Sequence, residues 1–133
     1  MYIFHVTDEA NPELLLDKAN NSVTLSRGLL HELNDEAELA AILGLSISKL
    51  AYYPDIDRST IKFLTRAGYD PRALVDLQQH YYEASASTQN HWLSTIYKYP
   101  PTVEALEQNK AFTSKAPKGL QRGVENYQKQ ITE

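Results

Sequence analysis

The segment formed by residues 34–50 constrains the fold of this chain more than any other segment. Apolar residues recur there at the spacing that places side chains on one face of a helix, namely at Leu39, Leu43, Ile47 and Leu50. Asn34 or Asp35 can cap the first turn, and the acidic residues that follow suit the positive end of the helix dipole. The pattern therefore predicts a buried central helix.

The rest of the chain predicts an α+β, mostly helical fold in a single domain of residues 1–133. In residues 1–26, apolar alternation predicts short strands, two of them joined by an Asn-rich turn, in a small antiparallel sheet or hairpin. Gly28 is expected to interrupt this pattern before a short helix. Core helices are expected over residues 28–83, with Gly68 ending one of them. An exposed loop over residues 84–90 then precedes a C-terminal helical part, residues 92–133.

Composition and charge exclude several classes of partner. The net charge of -4 and the pI near 5.5 provide no basic surface for a phosphate backbone, so we expect no nucleic-acid partner. No apolar run approaches the roughly 20 residues that a transmembrane helix needs, and the first eight residues lack the pattern of a secretory signal. Cysteine is absent, so any metal would need histidine and carboxylate ligands.

The histidines offer two candidate sites. His31-Glu32, followed by Asp35, has the residue types of a metal pair with a base, whereas the alternative is a surface turn between two helices. His80 and His91 meet only if the loop between them folds back, and the favoured expectation is two separate, partly exposed side chains.

Several segments resemble, in order, the motifs of one peptidase family. Residues 28–30 and 33–43, Gly-Leu-Leu and then Leu-Asn-Asp-Glu-Ala-Glu-Leu-Ala-Ala-Ile-Leu, look like the approach to the zinc helix of the M-forty-eight metallopeptidases. This family includes HtpX-like, CAAX-processing and outer-membrane-assembly peptidases. Residues 57–58 and 66–71 are similar to its Glu-Ala-Asp-Arg and Ala-Gly-Tyr-Asp-Pro segments, and residues 93–102 resemble its Leu-Ser-Thr-His-Pro segment. The resemblance implies a zincin-like scaffold over nearly the whole chain.

The chain departs from this family at the positions that carry its chemistry. Members bind zinc through His-Glu-x-x-His and a Glu on the next helix, and the motif Glu polarises the zinc-bound water. The corresponding residues here are Leu45, Ser46 and Lys49 for the motif, Tyr53 for the third ligand, Asp57 for the family's Asp, and Tyr99 for a later histidine. The resemblance therefore implies that zinc, expected in the family, is lost, with no cofactor in its place.

The resemblance also predicts what replaces the lost site. One hypothesis is that Lys49 and Asp57 point at the former zinc position and form an ion pair there, and the alternative is that the Lys49 side chain extends to solvent. Two interpretations of four tyrosines stay open: they line the old cleft as amphipathic rings suited to a peptide or protein surface, or they fill the space that the metal and its ligands left. These are Tyr52, Tyr53, Tyr97 and Tyr99. Ser46 has no visible catalytic partner and is interpreted as a small polar residue of the helix.

Three functional hypotheses follow. The first is a catalytically inactive pseudopeptidase that binds protein or peptide, or acts as a chaperone-like module, in the bacterial cell envelope, with an exposed hairpin strand pairing with extended polypeptide. The second is a residual or atypical hydrolase that uses His31 and acidic neighbours. The third is a C-terminal helix that docks on another subunit through an apolar stripe, namely Leu120, Val124, Tyr127 and Ile131.

Overall fold

The computed structural model describes residues 1–84 and 91–132. Its elements are β1 (Ile3–Thr7), β2 (Leu14–Asp17), β3 (Ser22–Ser26), α1 (Arg27–Glu32), α2 (Glu36–Leu50), α3 (Ile56–Ala67), α4 (Arg72–Ala84), a 3-10 helix (Trp92–Thr95), α5 (Val103–Thr113) and α6 (Val124–Thr132). The predicted α+β class with a small sheet and mainly helical structure is confirmed. The predicted loop over residues 84–90 lies, apart from Ala84, outside the described residues.

The sheet has the order β1-β3-β2 and is mixed. Strands β2 and β3 form the antiparallel hairpin predicted from the Asn-rich turn, where Asn21 adopts a positive φ. Strand β1 instead pairs in parallel with β3, so the prediction of an antiparallel sheet is wrong for this strand. The physical reason is burial: Val23 and Leu25 of β3 are buried, which places β3 in the centre and β1 at an edge.

Gly28 lies inside α1 and does not interrupt the pattern as predicted. The helix starts because the Ser26 hydroxyl accepts a hydrogen bond from the Leu29 N–H at 3.0 Å. A Cβ atom at position 28 would lie 2.1 Å from the Ala10 carbonyl oxygen. Glycine is therefore needed because the backbone that connects β1 to β2 passes against the helix.

Replacing Gly28 with alanine is expected to destabilise the protein by about 2 kcal/mol, because the overlapping atoms are backbone and cannot rotate away. Urea denaturation provides the measurement. Arg27→Ala is the neighbouring control: its guanidinium forms an exposed ion pair with Asp8, so its loss should cost less than about 1 kcal/mol. A Gly28→Ala protein as stable as the wild type would contradict the close approach, since alanine alone favours helix.

Helix α2 is capped as predicted but buries a different face. The Asp35 carboxylate accepts the Glu38 N–H at 2.9 Å, and the Glu38 carboxylate accepts the Asn34 N–H at 2.9 Å. Ala41 and Leu45 are fully buried between the neighbouring helices. The predicted stripe is correct for Leu50, whereas its other three members are only half-buried, namely Leu39, Leu43 and Ile47. Because α2 is apolar on more than one side, periodicity does not determine which side is buried.

The remaining helices follow their local signals. Gly68, with φ of 89°, ends α3 as predicted, and the α4 stripe is buried, namely Ala73, Leu74, Leu77 and Tyr81. Helix α6 packs within its own chain, where Tyr127 is buried and its hydroxyl donates to the Leu30 carbonyl. Docking of α6 on another subunit stays a prediction, because Val124 of the apolar stripe is exposed and is available for such a contact. Among the described residues, no helix is both long and apolar enough to cross a membrane.

Candidate functional site

Of the three positions that the sequence resemblance assigns to a zinc motif, two are occupied by core residues. Leu45 and Ser46 are fully buried, and the Ser46 hydroxyl donates to the Ile42 carbonyl at 2.7 Å, one turn back on the same helix. The Lys49 ammonium donates to the Ile96 carbonyl at 2.8 Å. None of these side chains is directed at a ligand, and Ser46 fits its interpretation as a small polar helix residue.

The predicted ion pair between Lys49 and Asp57 is wrong. In the part of the chain that the structure describes, neither residue forms a salt bridge. The Asp57 carboxylate instead accepts hydrogen bonds from the Tyr97 hydroxyl, from the Gln78 amide at 3.0 Å and from the Asn109 amide at 3.0 Å. These donors come from α4, from α5 and from the segment after the 3-10 helix, so the carboxylate is stabilised by uncharged hydrogen-bond donors rather than by a cation.

The Asp57 cluster, defined as Asp57, Gln78, Tyr97 and Asn109, is internally satisfied. The Gln78 amide nitrogen also donates to the Tyr97 oxygen at 3.1 Å, and the Asn109 amide nitrogen donates to the Gln78 carbonyl oxygen at 3.0 Å. Burial, followed by the Asp57 charge, raises the pKa of Tyr97 well above its usual value, so the hydroxyl stays protonated and donates. Such a cluster joins three helices rather than activating a nucleophile or a water molecule.

The four tyrosines assigned to the old cleft have different environments. Tyr97 turns its hydroxyl into the Asp57 cluster. Tyr52 and Tyr99 are about 70% exposed, and each ring contacts a lysine ammonium, that of Lys18 or Lys98. Tyr53 packs beside the Phe63 ring. The structure therefore brings Tyr97 into the core and leaves the other three as surface rings with separate partners.

The two histidines expected to stay apart are in contact, and that prediction is wrong. His80 Nδ1 lies 3.0 Å from His91 Nε2, and His91 is buried between the Tyr81 and Trp92 rings, each with its centroid 4.8 Å away. The contact between the two histidines could not be predicted from the sequence, since it depends on where the 3-10 helix lies relative to α4.

The hydrogen bonds of the histidine pair determine its chemistry. His91 Nδ1 accepts the Leu93 N–H at 3.1 Å, so in the neutral ring the proton resides on Nε2 and is donated to His80. Nε2 then has no lone pair with which to ligate a metal. Burial, followed by the neighbouring His80, lowers the pKa of His91 to about 4. Among the described residues, no group of three or more histidine and carboxylate side chains is arranged to hold a metal ion.

The residues of the sequence-derived His31 site diverge in the structure. His31 is exposed, whereas the Glu32 carboxylate accepts the Trp92 indole N–H at 3.1 Å. Asp35 caps α2 and also accepts from the Arg122 guanidinium at 2.8 Å. The surface-turn interpretation therefore fits this segment.

Sequence analysis did not identify Arg122 as an organising residue. Besides Asp35, its guanidinium contacts the Asp76 carboxylate at 2.8 Å and the Glu38 carboxylate at 3.6 Å. Its carbonyl accepts the Ala37 N–H at 2.9 Å. Arg122 thus attaches the C-terminal segment to the start of α2, and no local pattern predicts a contact across 87 residues.

Strand β1 is an exposed edge of the sheet. All five of its residues are exposed, including the apolar side chains of Ile3, Phe4 and Val6. At the opposite edge of the sheet, β2 packs beside the 3-10 helix, and the Thr95 hydroxyl donates to the Leu14 carbonyl at 2.7 Å. Strand β1 is therefore the less protected edge and the candidate interaction site.

No protein-family model matches the chain, and no curated protein matches it.

Proposed function

We propose that this chain is a non-catalytic, metallopeptidase-like domain with a zincin-like scaffold that binds extended polypeptide along strand β1. The ordered M-forty-eight motifs support the family part of the proposal, and the burial of Leu45 and Ser46 supports the non-catalytic part. The bacterial cell envelope is the compartment that the resemblance implies. The observation that carries the binding function is the exposed edge of β1.

The backbone of β1 offers hydrogen-bonding groups at this edge. The Ile3 N–H donates to the Asn21 carbonyl at the β3 side. Because backbone groups alternate along a strand, Phe4 and Val6 direct their N–H and carbonyl groups to the open side. The strand contains no lysine, proline or bulge, which are the usual protections of an edge. A partner strand can therefore pair at the edge and extend the sheet.

The β1 edge differs from the hairpin strand expected from the family. The Leu14 carbonyl of β2 already accepts a hydrogen bond from the Thr95 hydroxyl, and the 3-10 helix lies beside β2. Pairing along β2 would require that helix to move, whereas pairing along β1 requires no rearrangement.

Labelled nine-residue peptides with alternating valine and threonine test the proposal by fluorescence anisotropy. We expect the wild-type protein to bind them about tenfold more tightly than matched peptides in which the central residue is proline. Proline has no N–H group, so these peptides cannot form all the backbone hydrogen bonds of a paired strand. Val6→Pro removes an outward-facing N–H and should weaken binding about tenfold, whereas Val6→Ala keeps the donor and should lose less.

Equal binding of the alternating and proline-interrupted peptides would contradict β1 pairing. We also expect the bound peptides to remain intact after prolonged incubation. Peptide cleavage that depends on His31, together with stoichiometric zinc in protein purified without chelator, would favour the hydrolase hypothesis instead.

A further inference from the structure

The side of α2 that faces away from the helical core forms an apolar groove. Its floor consists of half-buried side chains, namely Leu39, Ala40, Leu43 and Ile47. One cavity, of about 410 Å³, extends from this floor to Phe63 and Ala67 of α3, and a second, of about 380 Å³, extends to Ile131 of α6. The two share Ala40, Leu43 and Tyr69, so they form one continuous depression, which we name the α2 groove.

The α2 groove comes close to both ends of strand β1. Tyr2, just before β1, lines the cavity next to Ile47. Val6 lines a third depression of about 290 Å³, which shares Leu30 and Ile131 with the second cavity. Tyr2, Phe4 and Val6 lie on one face of the strand. The first and last of them line these depressions, so this face of β1 is turned toward the side of the groove. From Glu36, which lines the end of the second cavity, to Ile47 the groove is about 16 Å long, and a five-residue strand spans about 17 Å.

We infer that the α2 groove receives alternate side chains of the polypeptide strand that pairs with β1, and so selects segments with apolar residues at every second position. The inference rests on the proposed function. A strand added beyond β1 would continue the sheet and would project every second side chain toward the groove floor. About three successive apolar side chains fit the matching length.

Charged side chains specify the ligand further at the α3 end of the groove, whereas the Glu36 carboxylate lines the other end. Lys62 and Arg66 are exposed and directly precede Phe63 and Ala67, which line the groove. Within residues 1–84 and 91–132, these two cations take part in no ion pair. An acidic residue that flanks the apolar positions of the ligand would be complementary to them.

The α2 groove is separate from the positions that the family resemblance assigns to zinc. Successive residues of a helix are rotated by about 100°, which places Leu43 and Ile47 on nearly the opposite side of α2 from Leu45 and Lys49. Binding in the groove therefore requires nothing of the replaced motif.

Two peptide series of equal length measure the selectivity in the anisotropy assay. One carries valine at every second position with threonine between, and the other carries serine in place of valine. We expect the valine series to bind wild-type protein about tenfold more tightly, because apolar area is buried in the groove. Leu43→Gln makes the floor polar, and Ala67→Tyr fills the cavity from its exposed side, so either variant should reduce this ratio to about twofold.

The outcomes distinguish this inference from the proposed function. Binding that is lost in Val6→Pro but is equal for the two series would overturn the groove inference and leave β1 pairing intact. Absence of binding by the wild-type protein would overturn both. An unchanged ratio in folded Leu43→Gln and Ala67→Tyr proteins, verified by circular dichroism, would also overturn the groove inference.

Charge reversal tests the rim. Peptides flanked by glutamate should bind wild-type protein more tightly than peptides flanked by lysine, and the preference should decrease with salt. The double variant Lys62→Glu/Arg66→Glu should reverse the preference. An unchanged preference in that variant would remove the acidic flank from the ligand description.

Discussion

Asp57→Ala is expected to lower the free energy of unfolding by about 3 kcal/mol, because it removes the acceptor of three hydrogen bonds in the Asp57 cluster. Gln78 and Asn109 are buried and would retain donors without full partners. Water cannot readily replace the carboxylate in such a site. The loss of stability therefore reflects several buried polar groups without hydrogen-bond partners rather than one lost contact. Urea denaturation of the purified variant measures the change.

Two controls separate this effect from the loss of a negative charge. Asp57→Asn keeps the shape and one acceptor oxygen, so its cost should be about half as large. Asp8→Ala removes a carboxylate from an exposed ion pair with Arg27 and should change stability by less than about 1 kcal/mol. If Asp57→Ala and Asp8→Ala destabilise equally, the cluster does not have the structural role assigned to it.

Acidification is expected to destabilise the protein through His91. Its pKa is lowered to about 4 by burial and by His80, whereas the unfolded chain has the ordinary value of 6.5. Between these values the unfolded state takes up a proton that the folded state does not, so stability decreases as the pH falls from 6.5 to 4. The contribution of His91 over this range should be about 2–3 kcal/mol.

His91→Gln isolates this contribution because the amide does not titrate. The difference in unfolding free energy between wild type and His91→Gln should shrink as the pH is lowered from 7 to 4. The pKa of Glu38 is raised by burial, which acts with the opposite sign, but Glu38 is present in both proteins and cancels in the difference. His31→Gln controls for loss of an exposed imidazole. A constant difference between wild type and His91→Gln would contradict the prediction.

Local signals in the sequence located most elements of the fold. Asp35 caps α2 because its carboxylate reaches an N–H three residues away, and Gly68 ends α3 because it accepts a positive φ. The α4 stripe was readable because one apolar face alternates with a polar one. Gly28 was misinterpreted because glycine also occurs where two backbones approach closely, and the approaching backbone, at Ala10, is 18 residues away.

The candidate sites were less predictable than the fold. The family resemblance directed attention to Lys49 and Asp57, but the partner of each comes from a distant segment, Ile96 for one and Asn109 for the other. The histidine pair and the contacts of Arg122 likewise join residues from distant segments of the chain. No periodic pattern encodes such contacts, since each depends on how two helices are placed relative to one another.

The sequence by itself determined most of the elements and their caps, because these follow from interactions within one helical turn or one strand. The tertiary structure alone decided which side of α2 is buried, which strand is the open edge and which polar groups meet. Helix α2 is apolar on two sides, so packing against α3 and α4 selects one side for the core. The other side, with Leu39, Leu43 and Ile47, is left to the groove beside β1.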